Sequence, residues 1–179
     1  MSQITKIEAR EILNSGATAS IEVKITLADG ATGKASVPFG ASTGVHEAFV
    51  LFDGGRRYGG QGMLKAARNV KTEIKKALIG QDAYNQEAID QKMIALDGTE
   101  NKSRLGSNAI LAVSLAVARA AADSQKIELY QYIRKISNFK NKISNVSLPA
   151  PMIVVIEGGK HADNSTDFQE YLIVPQIKD

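Results

Sequence analysis

The segment "SIEVKITLADGATGKASV", residues 20–37, decides the fold class of this 179-residue chain. Apolar and polar residues alternate strictly in its first half, and this period of two predicts a half-buried strand. The apolar residues on one face are Ile21, Val23, Ile25 and Leu27. Ala28-Asp29-Gly30 is typical of a turn, so "ATGKASV" is predicted to return as the second strand of a hairpin.

The regions on either side of this hairpin extend it into an α+β pattern. An earlier strand is predicted within residues 4–12, and after the hairpin the apolar residues recur every three or four positions. This period predicts a helix over residues 64–78 that Gly80 ends, a helix over 86–96, a long helix to Ser124 that Ser107 caps, and one within "ELYQYIRKI". Strands followed by helices indicate an α+β fold, a three-stranded antiparallel meander with helices packed on one face.

The composition changes near Ile143. "SLPAPMIVVIEGG" and "DFQEYLIVP" are apolar, β-branched segments between prolines and glycines, a pattern typical of fully buried strands. Two strands form only a marginally stable sheet by themselves.

Composition excludes several classes of protein. The chain has no cysteine, which rules out disulfides and thiolate sites, and its formal charge is only +3. The basic residues at 134, 135, 140 and 142 are interpreted as a solvated linker and not as a nucleic-acid surface, because no aromatic residues alternate with them. The apolar run at residues 109–118 is too short to cross a membrane, and we expect a cytoplasmic location.

Three segments are candidates for a functional site. The loop from Gly40 to Gly44 holds two hydroxyl groups among small residues, which suits an anion or a hard cation. The alternative is a plain connection from a strand to a helix that begins in "VHEA", with His46 on the surface. The residues alone favour this alternative.

The other two candidates lie near the C-terminus. In "EGGKHADN", residues 157–164, a glycine pair at a strand end is followed by His161, which is either an active-site imidazole or an ordinary loop histidine. Gln169-Glu170 is the third, because a carboxylate within an apolar strand is costly unless it is paired or the strand has a polar face. The residues thus predict a polar site for an anionic ligand, and they do not define a reaction.

Four segments together resemble the enolase family, the phosphopyruvate hydratases of glycolysis. They are "VPFGASTGVHEA", "LDGTENKSRLGSNAILAVSLAVARAAA", "LPAPMIVVIEGGKHADN" and "DFQEYLIVP", in the order and at about the spacing of that family. The second contains a highly specific signature that runs from Asp97 to Leu111. The resemblance implies a lid domain over residues 1–140 and the first strands of an α/β barrel over 141–179.

The resemblance also implies a lyase reaction, the reversible dehydration of 2-phosphoglycerate to phosphoenolpyruvate. Enolases use two Mg²⁺ ions and a lysine base to handle the charge of the enediolate. By resemblance, Ser42 ligates the second Mg²⁺ and Ala41 belongs to the substrate-binding part of the same loop. His161 then lies near the substrate, and Gln169 and Glu170 hydrogen-bond its reacting end and the water.

Several positions depart from the pattern of the family. "NSGATAS", residues 14–20, lacks the usual arginine and proline, Phe39 replaces a serine, and Glu157 replaces an asparagine. The usual Arg-Asp-Gly-Asp reads "FDGG", residues 52–55. Arg10 and Glu22, which match interface charges of the family, are kept.

The lysine base, the principal general acid and the three metal-binding carboxylates of the family are expected beyond residue 179. Two hypotheses follow from this expectation. In the first, the chain is one piece of an enolase, either truncated or completed by a second chain that supplies the rest of the barrel, and its expected partner is another copy of itself, in a homo-oligomer, or that complementing chain. In the second, it is a non-catalytic interaction module.

Overall fold

The computed structural model describes residues 2–40, 44–137 and 148–175. These residues fall into two compact units, one comprising residues 2–137 and the other residues 148–175. No helix in the described residues is long and apolar enough to cross a membrane.

The first unit begins with an antiparallel sheet in the order β1-β2-β3. Its strands are β1 (Ile4–Leu13), β2 (Ala19–Leu27) and β3 (Thr32–Val37). The turn between β2 and β3 is closed by the Leu27 amide, which donates to the Ala31 carbonyl at 2.9 Å. Gly30 within this turn has φ of +85°, a conformation that favours glycine. The predicted hairpin is confirmed.

Helices follow the sheet, as the change of period predicts. They are α1 (Leu64–Asn69), a π turn (Val70–Ile74), α2 (Lys75–Leu78), α3 (Gln86–Asp97), α4 (Ser107–Ser124) and α5 (Leu129–Ile136). The segment predicted as one helix over residues 64–78 therefore contains a π turn, which the periodicity does not predict. Val70 and Ile74 at the ends of this turn are fully buried, so the wider turn still directs apolar side chains into the core.

Helix α4 packs against β2 and β3 and forms the centre of the core. Its contact with β3 is unusually close at Gly33. A Cβ atom on Gly33 would lie 2.1 Å from the Ala116 carbonyl oxygen and 2.3 Å from the Ala120 nitrogen. Glycine on the strand and alanine on the helix therefore allow the two backbones to touch.

Two local predictions in this unit are wrong. Ser107 is the first residue of α4 and does not cap it, because Gly106 occupies the N-cap position and no side chain bonds the helix end. "VHEA" contains no helix, since residues 44–52 follow an irregular path that other segments hold by hydrogen bonds. His46 is exposed, as predicted.

The second unit contains a two-stranded antiparallel sheet of β4 (Ile153–Glu157) and β5 (Glu170–Ile173). Every residue of both strands is exposed in the described residues, although their apolar pattern is typical of buried strands. Burial of a strand requires neighbours at both edges and on both faces. The described part of this unit supplies only the two strands.

Candidate functional site

The connection between β4 and β5 brings three of the candidate residues onto one short stretch of backbone. The Gly158 amide donates to the Gln169 carbonyl at 2.8 Å, and the His161 amide donates to the Gly158 carbonyl at 3.2 Å. Glu170 begins β5 directly after Gln169 and pairs with Glu157. His161, Gln169 and Glu170 thus belong to one loop and the strand end that closes it.

The glycine pair makes this connection possible. A Cβ atom on Gly158 would lie 2.4 Å from the carbonyl oxygens of Thr166 and Phe168, so no side chain fits there. Gly159 has φ of +58°, and its amide donates to the Thr166 carbonyl at 2.8 Å. The glycines therefore allow two backbone segments to approach each other closely. The side chains of the loop can then face solvent.

The side chains of His161, Gln169 and Glu170 are all exposed in the described residues. The cost of a carboxylate within an apolar strand does not arise in the described residues, because Glu170 lies at the exposed start of its strand. A different feature distinguishes it. Glu157, one of the departures from the family pattern, is directly opposite Glu170, and like charges in such a pair are unfavourable.

Ala41 and Ser42 lie outside the described residues, so the structure does not describe their positions. The backbone beside them is described at Gly44, whose amide donates to Glu47 Oε1 at 2.6 Å. On the other side, Phe39 packs edge-to-face on Phe52 with ring centroids 5.1 Å apart. Two departures from the family pattern therefore contact each other.

Asp97, the first residue of the signature segment, fixes the backbone of that segment by hydrogen bonds. The Asp97 side chain is buried, and its carboxylate accepts hydrogen bonds from the amides of Thr99 at 3.0 Å and Leu105 at 2.7 Å and from the Thr99 hydroxyl. Burial opposes ionisation, but these hydrogen bonds and the Arg104 charge outweigh it and hold the pKa of Asp97 below its usual value. Asp97 therefore stabilises the loop that leads into α4.

Two other positions singled out in the sequence lie on the sheet. Glu22 is only 9% exposed and lies between Arg10, with Nε to Oε1 at 2.7 Å, and Lys34, with Nζ to Oε2 at 3.5 Å. Desolvation of Glu22 acts against ionisation, yet the bonds to these two cations lower its pKa. The unusual "NSGATAS" forms a closed turn, in which Asn14 Oδ1 accepts from the Gly16 and Thr18 amides at 3.0 Å each.

The described residues by themselves do not fit a magnesium site. Among residues 2–40, 44–137 and 148–175, no three side chains of histidine, cysteine, aspartate or glutamate cluster in a way that could hold a metal ion. The two ions that the resemblance implies would need ligands from outside these residues.

Comparison with known proteins extends the resemblance to nearly the whole chain. The family model for the enolase N-terminal domain matches residues 4–133, and the model for the enolase C-terminal TIM barrel domain matches residues 145–178. An enolase of Elusimicrobium minutum (strain Pei191) is 52% identical over 177 residues, which cover 99% of this chain and 41% of that relative.

The matches and the fold together define an α+β enolase N-terminal domain followed by the start of the barrel domain. The described residues contain no closed barrel. The chain belongs to the enolase family, a family of lyases, and spans about two-fifths of the length of the curated relative it matches. The predicted family and fold class are confirmed.

Proposed function

We propose that the chain supplies part of an enolase active site, for the reversible dehydration of 2-phosphoglycerate to phosphoenolpyruvate in cytoplasmic glycolysis. The observation that supports this proposal most strongly is the 52% identity to an enolase over 99% of the chain. The hairpin geometry is compatible with it, because His161, Gln169 and Glu170 lie on one connection with exposed side chains.

Each of these residues has a role in the proposed site. The Glu170 carboxylate hydrogen-bonds the water that the reaction releases, and the Gln169 amide orients the reacting end of the substrate. The His161 imidazole binds beside them. Exposed groups on a loop held by backbone hydrogen bonds suit these roles, since they are fixed at their base and open to a ligand.

Ser42 and Ala41 complete this part of the site in the proposal, with Ser42 as a magnesium ligand and Ala41 at the substrate. Bound Mg²⁺ supplies charge stabilisation for the anion that forms when the proton beside the carboxylate leaves. Because the described residues hold no metal cluster, the remaining ligands and the lysine base have to come from other residues. A complementing enolase chain, or the C-terminal half of a longer enolase of which this chain is a part, is the proposed source.

A non-catalytic interaction module is the second candidate. Two observations favour it: β4 and β5 expose apolar side chains on both faces, and Glu157 adds negative charge beside Glu170, where an anionic substrate would bind. In this alternative the chain binds another protein through its second unit and does not turn over substrate.

Complementation separates the two candidates. The purified chain should make no phosphoenolpyruvate, with or without magnesium, because its described residues contain no cluster of side chains that could hold a metal ion. Mixed or co-expressed with the remainder of the Elusimicrobium minutum enolase, which lies beyond the aligned region, it should form a complex that makes phosphoenolpyruvate.

Variants then test the roles of single residues in that complex. Ser42→Ala, His161→Ala and Glu170→Gln should lower kcat and not only raise KM, since each removes a contact that the transition state needs. His46→Ala is the matched control, because His46 is the other of the two histidines and is exposed. A complex that forms and remains inactive would favour the interaction module. Variants that keep the kcat of an active parent complex would contradict the roles assigned to these residues.

A further inference from the structure

Residues 48–51 belong to no helix or strand, yet hydrogen bonds hold their backbone at Phe49 and Leu51. The Phe49 amide donates to the Asn101 carbonyl at 2.8 Å, and the Phe49 carbonyl accepts from the Ser107 amide at 2.9 Å. These partners belong to the signature segment between Asp97 and α4. The signature segment therefore satisfies both backbone groups of Phe49.

Asn108 completes this arrangement with its side chain. Asn108 is only 2% exposed, its Oδ1 accepts from the Leu51 amide at 3.1 Å, and its Nδ2 donates to the Leu51 carbonyl at 3.2 Å. The side-chain oxygen and nitrogen of Asn108 thus satisfy the backbone N–H and C=O groups of Leu51. A buried polar side chain in the first turn of an alanine-rich helix is costly unless it is used in this way.

Gly106 shows how closely the two segments approach. A Cβ atom on Gly106 would lie 2.5 Å from Leu51 Cβ and 2.6 Å from Asn108 Oδ1, and the residue has φ of +96°. The Asp97 carboxylate accepts a hydrogen bond from the Leu105 amide in the same loop. The signature residues therefore form a continuous set of contacts from α3 to Leu51.

We propose that Asn108 is a positioning residue for the enolase reaction, and this inference rests on the function proposed above. Residues 48–51 follow Gly44, the end of the glycine-rich loop, by only a few residues, and hydrogen bonds with Asn101, Ser107 and Asn108 fix the backbone of Phe49 and Leu51. Asn108 contacts neither substrate nor metal in this proposal. It acts through the Leu51 backbone.

Amide hydrogen exchange of the full chain tests the structural half of the inference. In Asn108→Ala the Leu51 amide loses its partner and should exchange about 10-fold faster than in the parent, while amides within β2 change far less. Asn85→Ala is the matched control, because Asn85 accepts a single hydrogen bond from the Ala88 amide at 3.1 Å at the start of α3. Equal acceleration of all protected amides in Asn108→Ala would indicate general destabilisation and overturn the inference.

Turnover in the complemented complex tests the functional half. Asn108→Ala should lower kcat by about 10- to 100-fold with a smaller change in KM, since a displacement of about 1 Å suffices for such a loss. Asn108→Asp is the variant to use if Asn108→Ala fails to fold. It keeps the volume of the side chain but loses the donor to the Leu51 carbonyl, so it should also lower kcat. Asn85→Ala should keep the kcat of the parent.

The two proposals fail in different ways. An active parent complex whose kcat is unchanged by both Asn108 variants overturns the positioning role alone. An inactive parent complex contradicts the enolase proposal itself, and the positioning role then falls with it.

Discussion

Replacing Gly33 with alanine tests the closest contact in the first unit. The added Cβ would lie 2.1 Å from the Ala116 carbonyl oxygen, 2.3 Å from the Ala120 nitrogen and 2.9 Å from the Arg119 carbonyl carbon. All three are backbone atoms of α4, so no side-chain rotation relieves the overlap. The strand and the helix have to move apart by about 1 Å, which forfeits roughly a quarter to a half of the dispersion energy between the separated surfaces.

The expected cost follows from this geometry. Overpacking a core typically costs about 1–3 kcal/mol, and an overlap with rigid backbone belongs at the upper end of that range. Gly33 also pairs with Ile25 of the central strand β2, so a shift of β3 weakens the sheet as well. We expect the free energy of unfolding of Gly33→Ala to fall by about 3 kcal/mol, a large share of the roughly 5–15 kcal/mol of a typical domain.

Urea denaturation of the full chain, followed by circular dichroism, measures this loss. Gly30→Ala and Gly16→Ala are controls of the same chemistry. Gly30 has φ of +85° and no atom within 4 Å of an added Cβ, so it should lose about 1–2 kcal/mol by backbone strain alone. Gly16 has its nearest atom, Asn14 Oδ1, at 3.5 Å and should change by less than about 1 kcal/mol. A loss at Gly33 no larger than at Gly30 would refute the close packing of β3 on α4.

Two further predictions concern acid stability and association. Asp97→Asn should cost about 2–3 kcal/mol near neutral pH, because hydrogen bonds to a buried carboxylate are lost. The lowered pKa of Asp97 stabilises the fold above its unfolded value of 3.8, and this contribution disappears as the pH falls through the still lower folded value. The difference between parent and variant in urea titrations should therefore shrink as the pH is lowered below 3.8. A difference that does not depend on pH would contradict this assignment. The 179-residue chain by itself should associate through residues 148–175, and light scattering should show larger species than for a shortened chain ending at Lys142. A monomeric full chain with protected amides in β4 and β5 would contradict this expectation.

Sequence patterns predicted the elements whose signals are local. The β2–β3 hairpin was predictable because alternation and Asp29-Gly30 lie within 18 residues. The end of α3 was predictable for the same reason, since Gly98 adopts φ of +69° at the position where a helix commonly terminates. Local backbone preferences decide such features, and tertiary contacts do not overturn them here.

Features that depend on distant residues were missed. Gly106, where an added Cβ would overlap Leu51, occupies the N-cap position of α4, and Ser107 does not cap the helix. The irregular path of residues 44–52 depends on Asn101 and Asn108, which are more than 50 positions away along the chain. One signal was present in the sequence: a lone glycine in a strand, such as Gly33, indicates close approach of another backbone.

The exposure of β4 and β5 has a different physical origin. An apolar pattern on both faces specifies the surroundings in which a strand is stable, and the described part of the second unit does not supply them. The same pattern therefore indicates what a partner has to provide: neighbouring strand edges and apolar cover on two faces. About 400 Å² of apolar surface removed from water is worth roughly 10 kcal/mol before the entropy of association is subtracted.

Binding that covers these strands would also place residues of the partner beside Glu170 and His161, which are carried on the same hairpin. Association and completion of the proposed site are thus expected to be a single event, so that stable binding of the complementing enolase segment and the onset of turnover should share one concentration dependence.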